Sequence, residues 1–228
     1  SGRLGAIDAA ECIPTFGVTP ETVQSIMAGG DAAFTGPVDG AEDDAAQGAA
    51  DVRSRGVKAG DAVVGIAASG RTPYTIGALR EAASLGARTI AVFNNPGAEM
   101  SRAAEIAICP VTGPEVIMGS TRMKAGTAQK MVLNMLSTAA MIRIGKVYSN
   151  LMVDMRPTNN KLVQRAKRMV SLASGCDQEE AARCLHDAGF HVKVAVVMAL
   201  TGTGAGEAAR LLEEADGNVR AAVEMATW

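Results

Sequence analysis

Aromatic side chains make up only 3% of this 228-residue chain, too few for the stacking platforms on which bases or sugar rings are laid. Neither sign of charge dominates: 22 Lys and Arg face 24 Asp and Glu, for a formal net charge of −2. No basic stripe or charge run stands out, so nucleic acid and membrane surfaces are not expected partners. Long apolar runs are also missing. None reaches the roughly 18 continuous residues of a membrane span, and no signal-peptide pattern is visible. Cysteine occurs four times (Cys12, Cys109, Cys176, Cys184) without CxxC spacing, which excludes a disulfide framework and points to a reducing cytoplasm. Cys176, Cys184, His186 and His191 do cluster. Their spacing fits no common zinc pattern and their neighbours are apolar, so no metal site is expected. Both nucleotide signatures, G-x-x-x-x-G-K-[ST] and G-x-G-x-x-G, are lacking.

What is present is apolar and small: 48% hydrophobic residues, with 12 Met and abundant Ala. That suits one core rich in helix plus a small appended module. The opening Ser1 to Gly5 begins a short helix ending near Glu11, with Cys12 to Gly17 as loop. Thr19-Pro20-Glu21 reads as a helix start and Gly29-Gly30 as its end. A loop over 30–40 precedes a helix over 41–55. Short apolar runs over 61–67, 88–93 and 104–109 alternate with a helix over 73–85. This alternation predicts an α/β fold, a three-layer α/β/α sandwich with a mainly parallel sheet. A long helix then runs to about Ile144. Past 158 only helices are expected: 161–173, then 178–188, 190–200 and 204–215, with a last segment over 217–226. The expected division is a sugar-phosphate-binding domain over 1–158 and a helical module over 159–228.

Three turns carry the chemistry. The block from Glu115 to Lys130 packs Gly119, Ser120, Thr121, Arg122 and Lys124 just ahead of the long helix. Ser120 or Thr121 can serve as its N-cap, and a helix start with free N–H groups and nearby cations attracts anions. A capped helix with solvated Arg122 and Lys124 explains the same residues equally well. Ser69-Gly70-Arg71-Thr72-Pro73 joins a strand to a helix, where hydroxyls and N-terminal amides hold phosphate and Arg71 adds charge. Ser1-Gly2-Arg3 repeats that chemistry. Such turns without nucleotide motifs suggest a sugar phosphate as the small-molecule ligand.

Two carboxylates stand out. Glu11 sits among small and apolar residues, and Glu42 leads Glu42-Asp43-Asp44 at a helix start. Acids at a helix N-terminus are also routine there. Elimination next to a carbonyl needs a base for the carbon-bound proton and an acid for the leaving oxygen, roles that two glutamates in different surroundings can divide.

Ser1-Gly2-Arg3-Leu4-Gly5 through Asp8 to Gly17, Gly40-Ala41-Glu42-Asp43, Ala68 to Tyr74, and Glu115 to Lys130 follow in one order. Together they resemble the signatures of bacterial N-acetylmuramic acid 6-phosphate etherases, and the similarity runs through the tail. The resemblance implies a sugar isomerase (SIS) fold, a cytoplasmic homodimer and a lyase without cofactors, serving amino-sugar catabolism and peptidoglycan recycling. It implies cleavage of N-acetylmuramic acid 6-phosphate with water to N-acetylglucosamine 6-phosphate and D-lactate. Glu11 and Glu42 match the family's acid/base pair, Glu42 for the C2 proton and Glu11 for the lactate oxygen. Ser1, Ser69, Gly70, Arg71, Thr72, Ser120, Thr121 and Lys124 match its substrate-binding positions. Family members carry further residues ahead of Ser1, including a strand, and Ala67 stands where a hydroxyl is common. A sugar-phosphate sensor like the glucokinase regulatory protein and an aldose–ketose isomerase are the competing readings.

Overall fold

A computed structural model describes residues 1–155 and 157–226; Arg156, within the expected linker to the helical tail, lies outside the described residues. The chain forms two compact units, one from Ser1–Ala9 and Gln24–Met135, the other from Ala10–Val23 and Leu136 onward. Helix α1 (Gly2–Phe16) and helix α5 (Lys124–Arg143) each begin in the first unit and end in the second.

The first unit is built on three parallel strands in the order β1 (Ala62–Ile66), β2 (Arg88–Val92), β3 (Ile106–Ile108). These are the three apolar runs read from the sequence. Helix α3 (Pro73–Ser84) links β1 to β2 and packs on both, while the short α4 (Met100–Ala103) links β2 to β3. Leu79, Ile76, Ala91, Phe93 and Met100 form its core. Helix α2 (Ala45–Ser54) lies against α3, with Val52 and Ala82 in one buried cluster and a glycine on each helix where the backbones come closest. A Cβ added to Gly48 would stand 2.1 Å from the Tyr74 carbonyl oxygen, and one added to Gly77 2.1 Å from that of Ala45. Two glycines facing each other's helix thus permit backbone contact. Tyr74 donates its hydroxyl to Asp51 across the same crossing. Burial first, then that bond to Asp51, raises the Tyr74 pKa well above the ordinary phenol value.

Several local expectations change. Residues 12–16 continue α1 rather than forming a loop, with Pro14 inside the helix. Cys12 and Phe16 on this last turn are buried with Val18 and Met141, and this packing outweighs the amide lost at Pro14. Residues 19–29 hold no helix; one turn closes from the Thr22 N–H to the Thr19 carbonyl at 3.0 Å and another from the Gly30 N–H to the Met27 carbonyl at 2.8 Å. Val23, Ile26 and Met27 have helical spacing, but Val23 packs with Cys12, Phe16 and Met141 while Ile26 packs with Val52, Ala82 and Ala87, so no single helical face forms. The 30–40 loop contains a 3₁₀ turn over Gly30–Phe34. Residues Ala41–Asp43 form another, and α2 starts only at Ala45 because the Asp44 side chain accepts from Gln47 N at 2.8 Å as N-cap.

In the second unit, α6 (Asn160–Ser174), α7 (Gln178–Asp187), α8 (Val192–Thr201), α9 (Ala205–Glu214) and α10 (Val219–Ala226) enclose a core of Val170, Leu185, Val196 and Leu212. The pairs α7–α8 and α9–α10 are one hairpin used twice at a constant offset. Glu180-Ala181-Ala182-Arg183 matches Glu207-Ala208-Ala209-Arg210, and Val192, Ala195, Val196 and Met198 match Val219, Ala222, Val223 and Met225. The backbone repeats as well: Gly189 and Phe190 (φ 58° and 64°) correspond to Asp216 and Gly217 (φ 50° and 75°). The turn bonds are the same, Phe190 N to Leu185 O at 2.9 Å and Gly217 N to Leu212 O at 2.7 Å. The sequence reading divided these helices correctly without recognising the duplication. A cavity of about 620 Å³ in this unit is lined by Lys146, Asp154, Phe190, His191 and Lys193, among others. Its charges face one another, with Asp154 Oδ2 at 3.0 Å from Lys146 Nζ and 2.6 Å from Lys193 Nζ.

Candidate functional site

In a parallel sheet the loops beyond the carboxyl ends of the strands form the ligand-binding edge. Here the β1–α3 turn, Ala67 to Thr72, is the best-anchored of them. Asn94 N donates to Ala68 O at 3.0 Å, and Asn95 Nδ2 donates to the same oxygen at 3.1 Å. Asn94 Nδ2 in turn donates to Pro110 O at 2.9 Å, so the loops after all three strands are laced together. Gly70 has φ 67°, and a Cβ there would stand 2.5 Å from that of Ala98. Only glycine fits this turn without displacing its neighbour.

The hydroxyls expected to bind phosphate divide into engaged and open. Ser1 Oγ donates to Gln129 Oε1 at 2.8 Å and accepts from Ala68 N at 3.3 Å. It therefore ties α1, the β1–α3 turn and α5 within the first unit. Gln129 is buried, and its Nε2 has no hydrogen-bond partner among the described residues. Ser69 is exposed, its Oγ accepting only from Arg71 N at 3.2 Å. Thr72 is the N-cap residue of α3 by position, yet its side chain makes no capping bond. With Pro73 following, the amide end of α3 is open, flanked by two hydroxyls and the exposed Arg71. Arg71 also lines a cavity of about 290 Å³ with Asn95, Pro96, Gly97, Ala98 and Glu99.

The start of α5 is different. Neither Ser120 nor Thr121 caps it, because the helix begins at Lys124. The Glu115 carboxylate takes the leading amides instead, Oε2 from Lys124 N and Oε1 from Ala125 N, both at 3.1 Å. These bonds, that from Ala125 foremost, hold the Glu115 pKa below the ordinary carboxylate range. Lys124 Nζ donates to Pro114 O at 2.9 Å. An internal carboxylate thus fills a helix tip that the sequence reading left free for an outside anion. The signal was legible as an acid ahead of a Gly-Ser-Thr turn, but nothing in the spacing says that it folds back.

Glu42 lies exposed on the 3₁₀ turn over Ala41–Asp43, which packs against α3. Its carboxylate lies within electrostatic reach of Ser1. Glu42, Ser1 and the β1–α3 turn are therefore neighbours in one unit. Glu11 is exposed on α1 in the stretch that belongs to the second unit, next to buried Cys12. No group of three or more potential metal ligands occurs among the described residues. No helix among them is long and apolar enough to cross a membrane.

Comparison with known proteins identifies the fold and the family. Residues 1–83 match the profile of the glucokinase regulatory protein N-terminal SIS domain, and residues 44–139 match that of the SIS domain. An N-acetylmuramic acid 6-phosphate etherase of Symbiobacterium thermophilum is 62% identical over 89% of this chain and 67% of its own length. Those of Oenococcus oeni and Erwinia tasmaniensis are 57% and 56% identical over 88% of this chain, and over 68% and 66% of their own lengths. The chain thus spans about two thirds of the relatives it matches. On this identity the chain belongs to the N-acetylmuramic acid 6-phosphate etherase family.

Proposed function

We propose that the protein containing this chain cleaves the D-lactyl ether of N-acetylmuramic acid 6-phosphate, giving N-acetylglucosamine 6-phosphate and D-lactate. One observation carries the phosphate part: the amide end of α3 is open beside Ser69, Thr72 and Arg71, whereas that of α5 is already filled by Glu115. The 6-phosphate sits on the β1–α3 turn, where Gly70 lets the backbone come close. Ser1 holds that turn from behind, while Ser120, Thr121 and Lys124 complete the wall from the α5 side.

The chemistry is a stepwise elimination and addition. Opening of the sugar ring exposes the C1 aldehyde, which acidifies the C2 proton. Glu42 removes that proton and Glu11 protonates the ether oxygen as lactate leaves from C3. Water adds to the resulting unsaturated aldehyde at C3. Two carboxylates suffice for both transfers, and no cofactor enters the scheme. The protein acts in the cytoplasm, in amino-sugar catabolism and peptidoglycan recycling. Residues 1–158 form its sugar-phosphate domain and 159–228 an appended helical module. It works as a homodimer, in keeping with the exposed run of Val116, Ile117 and Met118 at 74%, 69% and 98% accessibility.

The test is release of D-lactate from N-acetylmuramic acid 6-phosphate by the full-length protein. Glu11→Gln and Glu42→Gln are each expected to lower turnover by about 10²–10⁴, the usual share of a general acid or base. Binding without lactate would identify a sensor, and a ketose product an isomerase. A near-native rate in either variant would remove that glutamate from the scheme.

A further inference from the structure

Helix caps normally come from the N-cap residue or from the first turn, within a few residues of the amides they satisfy. The acid that serves α5 is nine and ten residues away from the amides it accepts from. Its two bonds therefore do more than finish a helix. They close the intervening loop on itself, and Lys124 Nζ, bonded to Pro114 O at 2.9 Å, closes it again from the other end. Inside the loop Ser120 N donates to Ile117 O at 3.1 Å, Ser120 Oγ accepts from Arg122 N at 3.4 Å, and Gly126 N donates to Thr121 O at 2.9 Å. Apart from these short-range bonds, the tip carries the three exposed apolar residues Val116, Ile117 and Met118, which have no buried seat of their own.

We propose that Glu115 is a positioning residue for substrate: its carboxylate latches the 115–125 loop to α5 and so fixes Ser120 and Thr121 for the sugar phosphate. This rests on the function proposed above. A carboxylate is suited to the task because it offers an acceptor to each of two adjacent N–H groups and complements the positive end of the helix. An amide of the same shape would turn an NH₂ toward one of those donors and keep a single bond. Because the Glu115 pKa is held below its ordinary value, the latch is complete above the usual carboxylate range. It opens as pH falls through the folded-state value.

The experiment compares full-length wild type, Glu115→Gln and Glu115→Ala by steady-state lactate release. Hydrogen exchange over residues 116–125 is read on the same samples. Loss of both charge-assisted bonds is expected to raise the KM of Glu115→Ala about tenfold or more, with kcat kept within about threefold. Glu115→Gln should fall between. Added formate, a carboxylate small enough for the vacated amides, should draw the KM of Glu115→Ala back toward wild type. Exchange at Lys124 and Ala125 should quicken in Glu115→Ala. An unchanged KM, or a fall in kcat and melting temperature alone without response to formate, would overturn the proposal. Unchanged exchange would do the same. A wild type that releases no lactate would instead sink the etherase reading, while the exchange measurement still decides the latch.

Discussion

Replacing Gly48 by alanine tests the helix crossing that supports the site. In isolation the change should help, since alanine is favoured over glycine by about 1 kcal/mol inside a helix. In this fold the new methyl would lie 2.1 Å from the Tyr74 carbonyl oxygen and 2.9 Å from its carbon. Both are backbone atoms of α3 and cannot rotate aside. Relief requires α2 and α3 to part by roughly 1 Å, and overpacking of this kind costs about 1–3 kcal/mol or more. The Tyr74–Asp51 bond would stretch with it. We expect a net loss of about 2 kcal/mol, hence a fall in melting temperature of roughly 4–8 °C for a chain of this size. Gly206 in α9 is the control, with nothing within 4 Å of an added Cβ. Gly206→Ala should stabilise by up to about 1 kcal/mol. Thermal unfolding of both variants by circular dichroism decides the matter. A Gly48→Ala protein that melts at or above wild type refutes the close-crossing argument. Since the Glu42 turn packs on α3 and α2 follows it directly, Gly48→Ala should also impair turnover more than its stability loss explains.

Ser69→Ala removes an exposed hydroxyl from the open tip of α3 and should chiefly raise KM in the lactate assay, with kcat held. A fall in kcat alone would argue against a phosphate contact there. Asp177 accepts from Glu179 N and Glu180 N at 3.0 and 2.8 Å as the N-cap of α7. Asp177→Ala should therefore cost about 1 kcal/mol in chemical denaturation and leave KM untouched.

The central α/β pattern could be read directly from the sequence because three short apolar runs, each cut by Gly or Pro, have no other regular way to be buried. The tail helices were equally plain, their boundaries marked by Gly189, Gly202 and Gly217. What escaped was decided by contacts between distant residues. Pro14 belongs inside α1 because Cys12 and Phe16 on its last turn are buried, which no local preference foretells. Conversely, Pro20 and Glu21 look like a helix start, but Val23 and Ile26 beyond them pack into different clusters rather than on one helical face. At the site, the β1–α3 turn keeps its expected form because Gly70 and Pro73 act locally. The α5 tip did not, because its acceptor arrives from Glu115, and a carboxylate's ability to fold back depends on the loop it closes.

The doubled hairpin of the tail gives this chain a reference copy of part of itself. Where the two copies agree, as at buried Ala181 and Ala208 or Ala195 and Ala222, a residue answers to the needs of the hairpin. Where they part, some other demand is at work. Phe190 adopts at its turn the left-handed pose that its counterpart Gly217 takes freely, at a conformational cost of about 1–2 kcal/mol. The second copy turns the corner with no side chain there, so the ring of Phe190 answers to something outside the turn itself.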